Sequence, residues 1–515
     1  MKMNKNGVGR EIPAYIEGVG ELKAYESPFS IIPEGNKVGP KLKRPLPHKN
    51  KLVDSLEEAV KAVGLKDGMT ISFHHHFRSG DYIVNMVLDV IAHLGIKNIK
   101  VAASSLSTCH GPLIEHIKNG VITGIETSGL RDPLGTAISE GILKKPVIIR
   151  SHGGRARAVE SGELKIDVAF LGAPASDEYG NANGFSGPSA CGSLGYALVD
   201  ANYADHVVLI TDNLVEYPCL PASINQTQVD YIVEVESIGD PKGIVSGAIR
   251  STTNPKDLLI AENALKVIMA SGYFKNGFSY QTGAAGASLA VTSLMKEKMI
   301  EQNIKGSFGL GGITAQLVDL LEEGLMEGLF DTQCFDLVAA ESLGKNPKHF
   351  EVDAGFYANP HNAGCAVNKL DIVLLGALEI DTDFNVNVIS GSDGVISQAS
   401  GGHSDTAAGA NISIILAPLI RGRIPIVVDK VTTVVTPGET IDVVVTDYGI
   451  AVNPLRKDLI ERFKKENLKI YTIEELQKIA ENITGKPDTI EFGDRIVGVV
   501  QYRDGSVIDV IRQVK

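Results

Sequence analysis

The stretch SFHHHFRSGD, residues 72–81, is the densest group of chemistry-bearing side chains in this sequence. Imidazoles can ligate a metal, move a proton or donate to an anion. Spacing argues against a metal: consecutive residues leaving a strand point to alternate faces, and the i, i+4 helical pattern H-E-x-x-H is missing. The favoured reading is a polar pocket lining made by His74, His75 and His76, ahead of a structural strand-end cluster and of a metal site. Arg78 adds to it, because a guanidinium fork pairs with a carboxylate through two hydrogen bonds. Cys109-His110 is set aside as a nucleophile–base dyad, since adjacent residues rarely reach the geometry such a dyad needs.

Other candidate positions lie in stretches rich in Gly, Ser and Thr. They are SSLSTCHGP (104–112), with Ser104 and Ser105; YQTGAAG (280–286), with Gln281, Thr282 and Gly283; SFGLGGITAQ (307–316), with Gly309, Gly311 and Gly312; and SQASGGHSD (397–405), with Ser400, Gly401, Gly402 and His403. Exposed N–H groups in such loops can hold carboxylate or thioester oxygens. One Gly-rich turn alone would be only a tight connection. Several at matching places, beyond the carboxyl ends of strands where open α/β sheets bind ligands, form a candidate site.

These loops need a scaffold that brings them together. Strand-like runs (MTISF, IKVAAS, KIDVAFLGA) alternate with helical ones (DYIVNMVLDVIAHLG, PLIEHIKNG), which predicts an α/β fold with parallel-rich sheets. Capping-box patterns at Ser55-x-x-Glu58 and Thr472-x-x-Glu475 support two further helices. The scaffold is also repeated. DVAFLGAPASDEYGNAN (167–183) and DIVLLGALEIDTDFNVN (371–387) share seven of 17 positions, at an offset of 371 − 167 = 204. LIEHIKNGVITG (113–124) and LVDLLEEGLMEG (317–328) match in the same register, and GMTISFHHHFRSG (68–80) stands opposite GFSYQTGAAGAS (277–288) after a small gap. A period near 200 means domain duplication rather than a short-repeat array. The expected division is an arm at 1–45, a first domain at 46–248, a linker at 249–256 and a second domain at 257–515.

Composition narrows the function classes. A chain of 515 residues with 43% hydrophobic residues is expected to fold as at least two globular domains. No apolar run reaches the length of a membrane span, and the first residues lack a signal-peptide core. The net charge is −13 with scattered Lys and Arg, so nucleic-acid binding is not expected. Five cysteines, far apart and without a C-x-x-C pair, point to a reducing, cytoplasmic setting.

VGREIPAYIEG, SFHHHFRSGDY, GLGGITAQLVDLLEEGL, SGSDGVISQASGGHSD and VVVTDYGIAVNPLRKDL together resemble the citrate lyase alpha subunits over essentially the whole chain. More distantly, both halves resemble the tandem domains of family I CoA-transferases. The resemblance implies two duplicated CoA-transferase-like domains and transfer of an acyl-carrier thiol from acetate to citrate, by way of a citric–acetic mixed anhydride. It implies a CoA-like prosthetic group on a small acyl carrier (gamma) subunit as co-substrate, a beta subunit that cleaves the citryl thioester, no cofactor held by this chain, and a homo-oligomer. Gln281-Thr282-Gly283 resembles the QxGxG-type loop of the distant family; Ser400-Gly401-Gly402 resembles the end of its GxGG-type loop, with Ala399 where the leading glycine would stand. The nucleophilic glutamate of that family falls on Gly311, which implies direct attack by the substrate carboxylate, with Gly311 and Gly312 at the reacting centre and Gly309 beside them leaving room for it. Glu341 is the substitute nucleophile to be tested. Citramalate as acceptor, and a non-catalytic thioester-binding subunit, are the alternatives.

Overall fold

The computed structural model describes residues 2–244 and 252–515. Eighteen strands build two large sheets. In chain order they are β1 (Leu52–Val53), β2 (Thr70–Phe73), β3 (Ile99–Ala103), β4 (Ile122–Thr127), β5 (Val147–Ile149), β6 (Val168–Gly172), β7 (His206–Thr211), β8 (Tyr231–Glu234), β9 (Phe278–Gln281), β10 (Gly306–Ile313), β11 (Met326–Cys334), β12 (His349–Glu351), β13 (Ile372–Gly376), β14 (Ile412–Leu416), β15 (Val443–Val445), β16 (Ile450–Val452), β17 (Phe492–Gln501) and β18 (Val507–Val514). The first sheet runs β18-β17-β5-β4-β3-β2-β6-β7-β8-β1 and the second β12-β11-β10-β9-β13-β14-β15-β16. All pairings are parallel except β17–β18 and β15–β16. Helices lie between most successive strands, and strands such as β6 and β14 are buried along their whole length, as expected of a sheet covered on both faces.

The duplication is visible strand by strand. The run β5-β4-β3-β2-β6-β7-β8 has the same order as β12-β11-β10-β9-β13-β14-β15. Identity survives where a backbone group needs a particular partner. Asp167 Oδ2 accepts from Thr70 N at the start of β2 (2.8 Å), and Asp371 Oδ2 accepts from Ser279 N in β9 (2.9 Å). Asp177 and Asp381 each receive the N–H and the side-chain amide of the asparagine four residues on, Asn181 and Asn385. Gly120 and Gly324 both follow helices with φ of 71° and 69°, a conformation that disfavours any side chain. The Thr472–Glu475 capping box is complete. At Ser55 only half forms, because the Glu58 carboxylate takes the Asp54 N–H instead.

The terminal segments depart from the expected division. The hairpin β17–β18, placed by sequence in the second domain (257–515), pairs with β5 and so extends the first sheet: Gly498 lies opposite Val147 and Val500 opposite Ile149. Burial explains the choice, since Val497, Val500, Tyr502, Ile508 and Ile511 join the first domain's core. Nor is residues 1–45 a loose arm throughout. Met3–Lys5 pairs with Glu11–Pro13, and Ile12, Ile16 and Leu22 pack on Val499 and Val507 of that hairpin. Part of the expected linker, 249–251, lies outside the described residues, and Pro255 and Lys256 already belong to the helix Pro255–Ser271. No helix among the described residues is long and apolar enough to cross a membrane.

Candidate functional site

The carboxyl ends of the two sheets face each other, and the loops found by sequence meet there. Gln333 Nε2, at the end of β11, donates to the His75 carbonyl after β2 at 2.8 Å. The loop before the helix His403–Gly409 reaches back to the ends of β4 and β5. Ser400 donates through its N–H to Ser128 O (2.8 Å) and through its hydroxyl to Ser128 O and Arg150 O (3.1 and 2.9 Å). His152 N donates to Gly401 O (2.9 Å), and Asp405 accepts from Ser151 Oγ and Gly153 N (both 2.9 Å). Burial raises the Asp405 carboxyl to about 6 despite the nearby Arg503 guanidinium. Ser400 is therefore spent on joining the domains.

Strand alternation separates the three histidines, as their spacing predicts. His74 and His76 stack on one side with ring centroids 4.3 Å apart and their Nδ1 atoms facing each other. His75 turns the other way. Its Nδ1 and its N–H both meet Ser104 Oγ (2.6 and 3.0 Å), and its ring stacks on Tyr196 (4.9 Å) and His152 (5.4 Å). All three are buried. Burial lowers each below the usual imidazole range, His76 to about 4, and lowers His152 to about 3. The histidines are thus neutral donors and acceptors, not cations. Among the described residues no group of three His, Cys, Asp or Glu side chains is placed to hold a metal.

Positive charge comes from arginine. Arg78, with φ of 52°, lays its guanidinium over the Phe335 ring of the second domain, 4.2 Å from the centroid. Burial, with Arg131 next, pushes it down to about 10. Arg131 follows β4 and donates to Gln398 Oε1 at 2.6 Å.

The glycines do not leave the open space expected of them. A Cβ on Gly312 would stand 2.0 Å from the Phe335 ring, and one on Gly309 would stand 2.8 Å from Leu329 Cδ2. Both are closed by packing, and Gly309 faces the second domain's core. Nor is SFGLGG a loop. It belongs to β10, whose register with β11 shifts between Gly311 and Gly312. Gly311 is different: its φ is +95°, and a Cβ there would lie 2.7 Å from Gln281 Nε2. The missing side chain admits the Gln281 amide, which donates to Tyr357 Oη at 2.9 Å and leaves its buried Oε1 without a partner. Tyr357 also presses on Gly402, where a Cβ would be 2.4 Å from its hydroxyl. Thr282 is buried, with its hydroxyl 3.3 Å from Gly283 O. Gly283 itself is open: a Cβ there would meet only Ser288 Oγ, at 3.7 Å.

His403 and Glu341 fall outside this group. The His403 ring spends both nitrogens inside the second domain, on Thr436 Oγ1 (2.7 Å) and Gly376 O (2.9 Å), and burial lowers it to about 4. Glu341 sits on the exposed face of the helix Leu337–Lys345, paired with Lys345. Ser105 is buried beside Ser104. Sequence reasoning missed Arg131, His152, Tyr196, Phe335, Tyr357 and Gln398. The strand-end rule that selected His74–His76 applies equally to LRDP after β4 and SHGG after β5. The two tyrosines and Phe335 carry no comparable signal.

Comparison with known proteins identifies the family. The family described as "Citrate lyase, alpha subunit (CitF)" matches residues 49–514. The citrate lyase alpha chain of Haemophilus influenzae is 62% identical over 465 residues, covering 90% of this chain and 93% of that protein. The alpha chain of Escherichia coli K12 is 59% identical over 90% of this chain and 91% of its own length. A crystal structure of the putative citrate lyase alpha subunit of Streptococcus mutans, in complex with citrate, superimposes with a TM-score of 0.96 at 57% identity, covering 99% of this chain and 100% of that one. The malonate decarboxylase hetero-tetramer of a Pseudomonas shares the fold at a TM-score of 0.64 and 14% identity, over 85% of this chain and 91% of that one. With two duplicated α/β halves meeting at their strand ends, this chain belongs to the citrate lyase alpha subunit family.

Proposed function

We propose that the chain transfers an acyl-carrier thiol from acetate to citrate. A citrate carboxylate attacks the carbonyl of an acetyl thioester and expels the thiolate, giving a citric–acetic anhydride. The thiolate then attacks the citrate-derived carbonyl of that anhydride and releases acetate, leaving a citryl thioester. Gly311 carries this reading. It stands where the distant transferases place their glutamate, its φ of +95° disfavours a side chain, and the Gln281 amide occupies the space beside it. Direct attack requires both substrates at once, near attack distance, and donors around the developing oxyanion. Gln281 and the backbone of Gly311 and Gly312 are assigned to that centre. His74–His76, Arg78, Ser104, Ser105, Thr282, Gly283, Gly401 and Gly402 are assigned to substrate binding or its immediate support.

Membership of the family, and the citrate bound to the Streptococcus mutans relative, favour citrate over citramalate as acceptor. The same membership favours work in a cytoplasmic complex, with a lyase (beta) subunit that consumes the citryl thioester and an acyl carrier (gamma) subunit that presents it. The CoA-like group of the carrier is a co-substrate. Purified protein incubated with citrate and acetyl-CoA, as a mimic of the carrier, should release acetate and form citryl-CoA, detectable by mass spectrometry. Absence of exchange would leave a thioester-binding subunit instead.

A further inference from the structure

Several arginines near these strand ends are buried or half-buried, and their partners differ. Arg150 is paired with Glu126 and Glu163, and Arg155 holds both oxygens of Asp200 at 2.8 and 2.9 Å. Arg157 is paired with Glu163, and Arg503 approaches Asp405. Arg78 and Arg131 have no carboxylate partner among the described residues, although both are partly buried. Each rests instead on a neutral group of the second domain: Arg78 on the Phe335 face and Arg131 on the Gln398 amide oxygen. The four surrounding imidazoles are uncharged and offer no counter-ion. The Arg131 charge acts on Arg78, so the two guanidiniums lie within electrostatic reach of each other, and such like charges repel less when an anion lies between them. Exposed arginines would avoid that cost by turning to water. These two rest on the ring and the amide instead.

We propose that Arg78 and Arg131 form a two-armed clamp that takes two carboxylates of one polycarboxylate substrate, with Gln398 positioning Arg131 across the domain interface. The proposal rests on the reading of the chain as a citrate acyltransferase and adds where its acceptor is held and why acetate leaves. Citrate can engage both forks while its third carboxylate reacts. Acetate, with a single carboxylate, can engage only one fork and is released. The clamp therefore discriminates citrate from acetate by the number of carboxylates, not by shape alone.

Calorimetric titration with citrate and steady-state exchange with acetyl-CoA test the assignment. Arg131→Met should weaken citrate binding by roughly 10- to 100-fold, the usual loss for a charge-assisted pair, and leave the KM for acetyl-CoA within about twofold. Arg131→Lys, which keeps the charge but loses the fork, should fall between the two. Gln398→Leu should weaken citrate by only a few fold. Inhibition by tricarballylate, which carries three carboxylates, should drop in Arg131→Met, while inhibition by acetate should not. Wild-type citrate affinity in a folded Arg131→Met protein would overturn the clamp, as would a loss confined to acetyl-CoA. Should Arg131→Met not fold, wild-type citrate affinity in Arg131→Lys together with Gln398→Leu would overturn it as well. A wild-type protein that binds no citrate would instead refute the function on which the clamp rests.

Discussion

Gly311→Glu would put a carboxylate where the resemblance to the distant transferases sets their nucleophile, at a cost that follows from the local geometry. A side chain at φ of +95° costs ~1–2 kcal/mol in backbone strain. Its Cβ would lie 2.7 Å from Gln281 Nε2 and 2.8 Å from Gln281 Cδ, so the amide must move and give up Tyr357 Oη, a further ~1 kcal/mol. The sum, ~2–3 kcal/mol, lowers the melting temperature of a domain this size by roughly 5–10 °C, which leaves a folded enzyme to assay. Gly311→Ala carries the same strain without the charge and is the control. The added carboxylate, at about 5 Å from a citrate carboxylate and an effective dielectric constant of about 20, opposes citrate by ~3 kcal/mol, or on the order of 100-fold. The KM for citrate should thus rise about 100-fold more in Gly311→Glu than in Gly311→Ala, and neither variant should yield an acyl adduct.

Two assays decide the outcome. Hydroxylamine or borohydride trapping, followed by peptide mass spectrometry, detects a glutamyl thioester. A single turnover with citrate labelled by ¹⁸O in its carboxylates follows the oxygen: direct attack delivers one citrate oxygen to acetate, whereas a glutamyl intermediate keeps it on the enzyme. An active Gly311→Glu protein with a trapped adduct at residue 311, or unlabelled acetate from the wild type, would refute the direct mechanism.

Other expectations follow from particular side chains. Glu341 is exposed and bound only to Lys345, so Glu341→Gln should retain activity within a few fold; loss of several orders of magnitude with an adduct at 341 would restore ping-pong transfer. Asp405 rises from 3.8 to about 6 on folding, so its proton favours the folded state below about pH 4, and that contribution, ~3 kcal/mol, is lost as pH rises through 6. The stability difference between wild type and Asp405→Asn, measured by urea unfolding, should therefore shift against the wild type between pH 4 and pH 7, and a flat difference would contradict this. Tag-free protein should contain far less than one equivalent of zinc, and dialysis against a chelator should leave exchange unchanged; one tightly held equivalent would reopen a metal role for His74–His76.

The repeat was legible because its surviving identities are backbone requirements. Asp167 and Asp371 must accept a neighbouring strand's N–H, and Asp177 and Asp381 must close a turn with Asn181 and Asn385. Such demands fix residue type and so leave a trace at constant offset. The placement of β17–β18 leaves none. The hairpin contributes apolar residues that either sheet edge could bury, and its pairing with β5 spans more than 300 residues. The three glycines of GLGG were legible as a group but not individually. Whether each meets Leu329, Gln281 or Phe335 depends on a register shift that no local pattern announces. His403 looked like a pocket residue by type, and only its two occupied nitrogens remove it. Arg131 was missed for the opposite reason. A single arginine in a loop has no spacing to read, and its interest lies in the carboxylate it lacks.

The two copies also differ where they correspond most closely. Gly172 and Gly376 end the equivalent strands β6 and β13, since 172 + 204 = 376, and each borders the point where its sheet's strand order reverses. In the first copy that crevice is filled by the chain itself: a Cβ on Gly172 would meet Ile83 Cδ1 at 2.1 Å and His76 Nε2 at 3.8 Å. In the second copy a Cβ on Gly376 would meet nothing within 4 Å. The first copy brings cations and neutral imidazoles; the second brings the Gln281 amide, Gly311 and open room beside its switch point. A double-displacement transferase needs one carrier subsite and an enzymic nucleophile, because its two acyl groups visit in turn. Direct attack needs two unlike subsites filled together, one for a polyanion and one for a thioester. On the proposed mechanism the two unlike copies would supply such a pair: the first would hold the anion on Arg78 and Arg131, and the second, with room beside Gly376, would take the acyl chain.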